Sequence, residues 1–371
     1  MSFTNLLLFT IINFAAITLS FILPKRYQAL AISGFTIVFL AVFSPLSLII
    51  LFSGTFITYF FLKKCTTTAC TFQIIFLLTA LLFYFKYHSK EWWMLSNRLI
   101  PIGLSYYTLK QIHYIFEKYK QTLPLHTFGD YFCYCFFLPT ILVGPIHRFP
   151  QFKKDLRRRR WDPQKVSMGL ERILYGYSKI IILGNYLISL KFQHYITTIN
   201  NPILKAYLGT CRFWANLYFQ FSGYCDITIG LSLIMGFHII ENFNYPFIAN
   251  NINNFWQRWH ISLSQWCRDY VYVPVASFTR KPYLAILAAM FTIGIWHELS
   301  IRYLIWGLYH GIGIAIWHRF QSFKKQRVPN INNFWAKKIL HYFSVIITIN
   351  FVIVSYTIIS GFLFFLKSIK E

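Results

Sequence analysis

The chain has 371 residues, 56% of them hydrophobic and 20% aromatic, with only 13% charged and a mean hydropathy of +0.47. A water-soluble core of this length needs far less apolar surface, and repeated apolar runs of about 18 or more residues predict membrane spans instead. The 36 Lys and Arg against 11 Asp and Glu leave a net charge of +25. These basic residues fall between apolar runs, where cytoplasmic loops carry them, which argues against nucleic acid as the partner.

In chain order, residues 4–23 predict a first span that stays attached, since no basic n-region precedes it and no small-residue cleavage site stands out. Lys25 and Arg26 follow it and no charge precedes it, so the positive-inside rule puts the N-terminus outside. Ala29 to Leu62 predicts two short spans around Pro45, closed by Lys63 and Lys64. Residues 71–87 predict another. Seven scattered cysteines show no metal spacing, Cys65 and Cys70 included, and read as buried or free thiols.

Residues 100–120 are too polar for a lipid-facing helix, and His113 and Glu117 fall four apart on one face. A structural polar network and a functional path fit them equally. Residues 128–143 are apolar. The loop after them holds Lys153, Lys154, Arg157, Arg158, Arg159, Arg160 and Lys165. It marks the cytoplasmic side and contacts anionic lipid, or it docks an acidic protein or a phosphate-bearing donor. Residues 169–190 and 205–237 predict further spans. In the second, Asp226 requires a partner or a water-filled cavity, and Gly223, Gly230 and Gly236 allow close helix approach. Residues 337–366 predict one or two final spans. The sum is about ten to twelve spans, with no linker and one domain over residues 1–371.

Polar and aromatic residues concentrate between Asn242 and His318. Residues 250–272 predict one helix, with Trp256, Trp259, His260, Leu263 and Cys267 along one face and Ser264 beside His260. Asn253, Arg258 and Arg268 load it too heavily for lipid, so it is a re-entrant helix lining a cavity or an amphipathic surface helix. His297 ends an apolar run, 283–296, and Glu298 follows at once. An uncharged imidazole in a dry site suits a general base. His310 comes thirteen residues later, a rotation of about 220° on a straight helix. Both reach one site only if the chain breaks between them, near Leu299–Ile301. The WHELS at 296–300 lacks the second His of a zinc helix, and no soluble-enzyme motif is present.

The segment ENFNYPFIANNINNFWQRWHISLSQWCRDYVYVP resembles the signature of the membrane-bound O-acyltransferase family. So do PIGLSYYTLKQIHYIFEKYK, LPTILVGPIHRFPQF, FSGYCDITIGLSLIMGF and IGIWHELSIRYLIWGLYHG, in that family's order over roughly residues 100–318. The likeness is to the bacterial branch of the alginate O-acetyltransferase membrane subunit and the teichoic acid D-alanyl transfer protein. It implies an all-α multi-pass membrane protein of about 10–12 transmembrane helices, with re-entrant or interfacial helices around a central tunnel. It places the catalytic histidine of the W-H-G motif on His297 and the R-W-H-x-S histidine on His260. His310 supports them, with Arg258, Trp256, Trp259, Ser264, Arg268, Trp296, Glu298 and Asn253 around the substrates. Glu298 stands where the family usually has Gly.

The activity implied is transfer of an acyl group, acetyl above all, to a hydroxyl of a cell-surface polysaccharide or partner protein. The donor is a cytoplasmic thioester, acetyl-CoA or an acyl-phosphopantetheine carrier protein. No tightly bound cofactor and no metal is implied. D-alanyl transfer to a teichoic-acid-like acceptor is the alternative within the family. A transporter with Asp226, His113 and Glu117 as its polar path is the alternative outside it. The partners implied are the cytoplasmic donor or carrier, an extracytoplasmic hydrolase-like protein that takes the acyl group, and membrane lipids, in a bacterial inner membrane.

Overall fold

The computed structural model describes residues 3–64, 67–95, 101–327 and 333–360. The chain opens with α1 (Phe3–Ile22), α2 (Lys25–Phe43), α3 (Pro45–Lys64) and α4 (Thr68–Leu95), followed by α5 (Leu104–Tyr119), α6 (Phe128–Cys135) and α7 (Phe149–Arg158). Next, α8 (Pro163–Ser178) runs into a π-helical stretch, Lys179–Phe192, and the short α9 (Gln193–Thr197). After α10 (Pro202–Ile234) come α11 (Ile252–Trp256), α12 (Ile261–Cys267), a π turn at Arg268–Tyr272 and α13 (Val273–Thr279). The chain then forms α14 (Pro282–His297), α15 (Ile301–Arg327), α16 (Phe334–Val354) and α17 (Tyr356–Ser360).

Six of these helices, among the described residues, are long and apolar enough to cross a membrane, and the chain is an integral multi-pass membrane protein. By length and composition alone, six described helices stand against the expected ten to twelve. Residues 128–143 form only the short α6 and a 3-10 turn, and α14 is apolar but short. Residues 361–366 of the last expected segment lie outside the described residues. The split of Ala29 to Leu62 occurs as expected. Ser44 is held extended before Pro45, as the residue preceding a proline must be, and its hydroxyl meets that of Ser47 at 2.6 Å.

The chain folds as two compact units. The first comprises Met1–Gly176 and Tyr224–Ile240. Its core is aromatic: Tyr107, Tyr131, Tyr134, Phe136, Phe137 and Phe149 are almost wholly buried, and the Tyr114 and Tyr131 rings stack at 3.9 Å. Helices α8 and α10 cross here through Gly169 and Gly230. A Cβ on Gly230 would sit 2.5 Å from the Gly169 carbonyl oxygen, so only glycine fits. Asp226 finds its partner in Arg172, at 2.6 Å. Glu117 is bonded by Thr122 and Lys120, and His113 Nε2 accepts from the Phe149 amide while its Nδ1 lies 3.3 Å from the Arg148 guanidinium. The three groups of the polar-path reading are thus each engaged locally, as a structural network requires.

The basic loop is less uniform than its sequence suggests. Lys153 pairs with Asp130 at 2.5 Å, and Arg157 donates to the Leu125 carbonyl. Arg159 is 4% exposed: it donates to Met235 O, Ser20 Oγ and Gln28 Oε1 and lies 4.0 Å over the Phe21 ring. Lys154, Arg158 and Arg160 stay exposed. Cys133, Cys135, Cys211, Cys225 and Cys267 are free thiols as expected, but Cys70 is disulfide-bonded, a correction to its reading as a thiol.

The second unit comprises Tyr177–Gly223 and Glu241–Glu371. It contains the π-helical stretch, α11 to α17 and most of α10. Helices α14 and α15 are packed backbone to backbone. A Cβ on Gly307 would sit 2.5 Å from Met290 O, and one on Gly294 would run into Tyr303 O. This contact fixes the position of the two histidine-bearing helices.

Candidate active site

Residues 250–272 are not one helix. The chain turns between α11 and α12, and His260 adopts a left-handed conformation, φ 44°, as the N-cap of α12. Such a backbone is uncommon outside glycine, although His is enriched there among other residues. Asn242, eighteen residues upstream, holds it. The Asn242 carbonyl accepts from the Ile261 amide at 3.0 Å, and its side-chain oxygen accepts from the Ser262 amide and hydroxyl at 3.1 and 2.9 Å. On the other side of the turn, Phe243 and Trp259 form an isolated antiparallel bridge, and Asn244 N donates to Arg258 O at 2.9 Å. The clasp turns the His260 ring inward, where it is 2% exposed.

Helix α14 ends at His297 and α15 begins at Ile301, so the break expected near Leu299–Ile301 is present. The break lets all three histidines converge. The His260 ring lies 5.9 Å, centroid to centroid, from Trp296, which lies 5.0 Å from His297. The His297 ring is 5.6 Å from Trp306, and Trp306 is 4.8 Å from His310. Trp256 packs on both Trp306, at 5.9 Å, and His310, at 5.4 Å. Behind His260 stands Phe221 of α10, at 4.8 Å. Trp306 is itself held by a hydrogen bond from its indole N–H to Ser355 Oγ, 3.2 Å.

The three rings differ in exposure. His297 is exposed, whereas His260 and His310 are buried. Both nitrogens of His260, both nitrogens of His310 and the Trp256 indole nitrogen have no hydrogen-bond partner among the described residues. Buried polar atoms are almost always satisfied, so five of them beside an open histidine point to a polar ligand. His260 lies on the turn, outside the spans. Burial, reinforced by the neighbouring His297 imidazole, lowers its pKa to about 3. It is therefore neutral at physiological pH, with one N–H to donate and one lone pair.

The other expected site residues divide into two groups. Trp256 and Trp296 belong to the cluster. Trp259 is buried in the aromatic wall beneath it, stacked on Phe255 at 5.6 Å, and Ser264 donates to Trp259 O. Arg258 donates to Asn254 and to the Asn244 carbonyl, bracing the turn. Asn253 caps α11's end through its carbonyl. Arg268 is largely exposed and bonds its neighbour Asp269. Glu298 is exposed at the C-cap of α14, immediately beside His297. Sequence reasoning missed Phe221 and Asn242 as supports. Asn242 had only the nearby asparagine-rich turn to signal it, and Phe221 had no signal. Among the described residues, no three His, Cys, Asp or Glu side chains are placed to share a metal ion.

The pattern of the membrane-bound O-acyltransferase family matches residues 46–360. The chain belongs to that family. It is 37% identical over 227 residues to a probable alginate O-acetylase of Pseudomonas aeruginosa, an alignment covering 60% of this chain and 44% of that protein. It is 34% identical over 284 residues to the teichoic acid D-alanyltransferase of Bacillus subtilis, covering 71% of this chain and 70% of that one. It is 29% identical over 286 residues to the peptidoglycan O-acetyltransferase of Helicobacter pylori, covering 68% and 53%. The chain thus spans about half the length of the alginate relatives it matches. Family membership accounts for the five signature segments.

Proposed function

We propose that this protein is a membrane O-acyltransferase that modifies hydroxyls of a cell-envelope polymer, with acetyl as its acyl group. The observation that carries the reading is the cluster itself: an open His297 flanked by buried, neutral and unpartnered imidazoles. His297 takes the proton of the acceptor hydroxyl as its oxygen attacks the thioester carbonyl. The neutral His260 N–H donates to the oxyanion that forms. Collapse breaks the C–S bond, and the thiolate leaves with the proton that His297 held. A base so placed is worth about 10²–10⁴-fold and an oxyanion donor about 10²–10³-fold. His310 and Trp256 supply polar contacts from behind.

The donor in this reading is a cytoplasmic thioester, acetyl-CoA or a phosphopantetheine carrier, and no tightly bound cofactor is needed. The basic residues after α1, α3 and α7 support an extracytoplasmic N-terminus in a bacterial inner membrane. The acyl group passes to an extracytoplasmic hydrolase-like partner or directly to a polysaccharide. The test uses purified protein in lipid with radiolabelled acetyl-CoA, comparing wild type with His297→Ala and His260→Ala. Loss of transfer in both, with folding intact, supports the assignment, and equal turnover in wild type and His297→Ala overturns it.

D-alanyl transfer is kept as a second reading because the D-alanyltransferase relative aligns with 70% of its own length, against 44% for the alginate one. Supplying D-alanyl-loaded and acetyl-loaded carrier side by side separates the two.

A further inference from the structure

A groove of about 450 Å³ runs between α15 and α16. Gly313, Trp317, Gln321 and Lys324 repeat every three or four residues and so share one face of α15. His310 lies on that face one turn further along. Ser344, Ile347, Thr348 and Phe351 present the matching face of α16. The inner end is closed by Phe351, whose ring leaves room only for glycine at 313 and packs 5.6 Å from His310. At the outer end, Lys324 is the one charged residue among the described lining, one turn from Gln321, and Asn250 and Asn251 also line the groove.

The groove opens sideways onto lipid-facing surface. Ile316, Phe320 and Ile347 line it and are 64%, 53% and 54% exposed. Lys325 adjoins Lys324, and the first turns of α16 carry exposed Trp335, Lys337 and Lys338, the aromatic and basic belt of a membrane boundary. From Lys324 to Gly313 is eleven residues, about 16 Å along a helix. Half of a hydrocarbon core is about 15 Å. The groove therefore matches one leaflet in depth, with the Lys324 cation and the Gln321 amide at one end and mostly apolar walls along the rest.

We propose that this groove is a binding site for an anionic phospholipid, its phosphate at Lys324 and one acyl chain laid inward to Phe351, beside His310. The lipid buttresses the back of the histidine cluster. The site is independent of the acyl-transfer reading, and its test measures lipid and not turnover.

The experiment reconstitutes the full chain in bilayers containing phosphatidylglycerol or phosphatidylcholine with a photoactivatable group at the chain terminus, then maps labelled peptides. The expected result is labelling around Gly313 and Phe351, stronger for phosphatidylglycerol by about fivefold, the effect of one lysine at such a surface. Lys324→Gln removes that preference at these peptides only. Ser344→Phe, which fills the groove, removes the labelling with either lipid, while its unchanged melting midpoint reports an intact fold. Equal labelling by both lipids in wild type, a preference that survives Lys324→Gln, or label confined to the outer faces of α15 and α16 overturns the proposal. So does displacement of the lipid by coenzyme A alone, which makes the groove a donor site.

Discussion

Replacing Gly307 by Ala sets two effects of opposite sign against each other. Alanine is the better helix former by about 1 kcal/mol, so on an isolated α15 the change would stabilise. In the protein, the new methyl would sit 2.5 Å from the Met290 carbonyl oxygen and 3.4 Å from the Gly294 Cα, all backbone that no rotamer change can move. Reaching even 3.0 Å requires α14 and α15 to separate by 3.0 − 2.5 = 0.5 Å. Overpacking of this kind costs about 1–3 kcal/mol, more than the propensity gain. The separation also carries His297 away from Trp306 and His310. A misplacement of 1 Å costs about 10²-fold in rate, so half of that costs about tenfold. The measurements are a melting curve in detergent and the acyl-transfer rate. Gly209→Ala on α10 is the control, since a Cβ there meets nothing within 4 Å and the variant gains about 0.4–1 kcal/mol. A Gly307→Ala protein that melts at or above wild type and transfers at the wild-type rate would refute the account of how the two helices place their histidines.

Asn242→Ala strands the buried Ser262 amide and hydroxyl, which costs about 1–3 kcal/mol and releases the His260 turn, so stability and transfer rate fall together in the same two assays. Asp226→Leu leaves Arg172 without its carboxylate, for up to about 3–5 kcal/mol, a figure the part-exposed guanidinium reduces. The double variant with Arg172→Met melts closer to wild type than either single one, and a simple sum of the two losses would count against the pair. Asp130 gives a pH dependence. Burial alone would raise its pKa, but hydrogen bonds from Lys153 and Thr127 hold it below 3.8 in the folded protein. A depressed carboxyl contributes stability above its unfolded value of about 3.9, and that stability is lost as pH falls through the folded value. Lys153→Met narrows that gap, so the variant is less stable than wild type at neutral pH and its melting midpoint falls less than that of wild type between pH 5 and 3. Superimposable curves would show the pair to be inert.

The break between α14 and α15 was readable because helix geometry forbids His297 and His310 from sharing a face, and Asp226's need for a partner followed from the cost of a bare charge in an apolar setting. The interrupted helix at 250–272 was not readable. Its helical periodicity holds through Trp256, Trp259, His260 and Leu263, and it is broken by a hydrogen-bond clasp from Asn242, which periodicity cannot register. Arg159 sits in a run of four arginines that looks uniformly solvated, and nothing local distinguishes the one whose acceptors lie in α1, α2 and after α10. The histidines of the site stood out by residue type and spacing, whereas Phe221 and Asn242 depend on which distant segments the fold brings beside them.

Arg159 also sets a clock on biogenesis. Its guanidinium is satisfied by Ser20 and Gln28, which are made long before it, and by the carbonyl of Met235, made 76 residues after it. At about 5–20 residues per second, the ribosome takes roughly 4–15 s to deliver that last acceptor. During that interval α1 and α2 already lie in the membrane with a buried cation incompletely solvated against them. The first unit can close only when the end of α10 arrives, so the stretch of chain that belongs to the second unit is inserted while the first is still open.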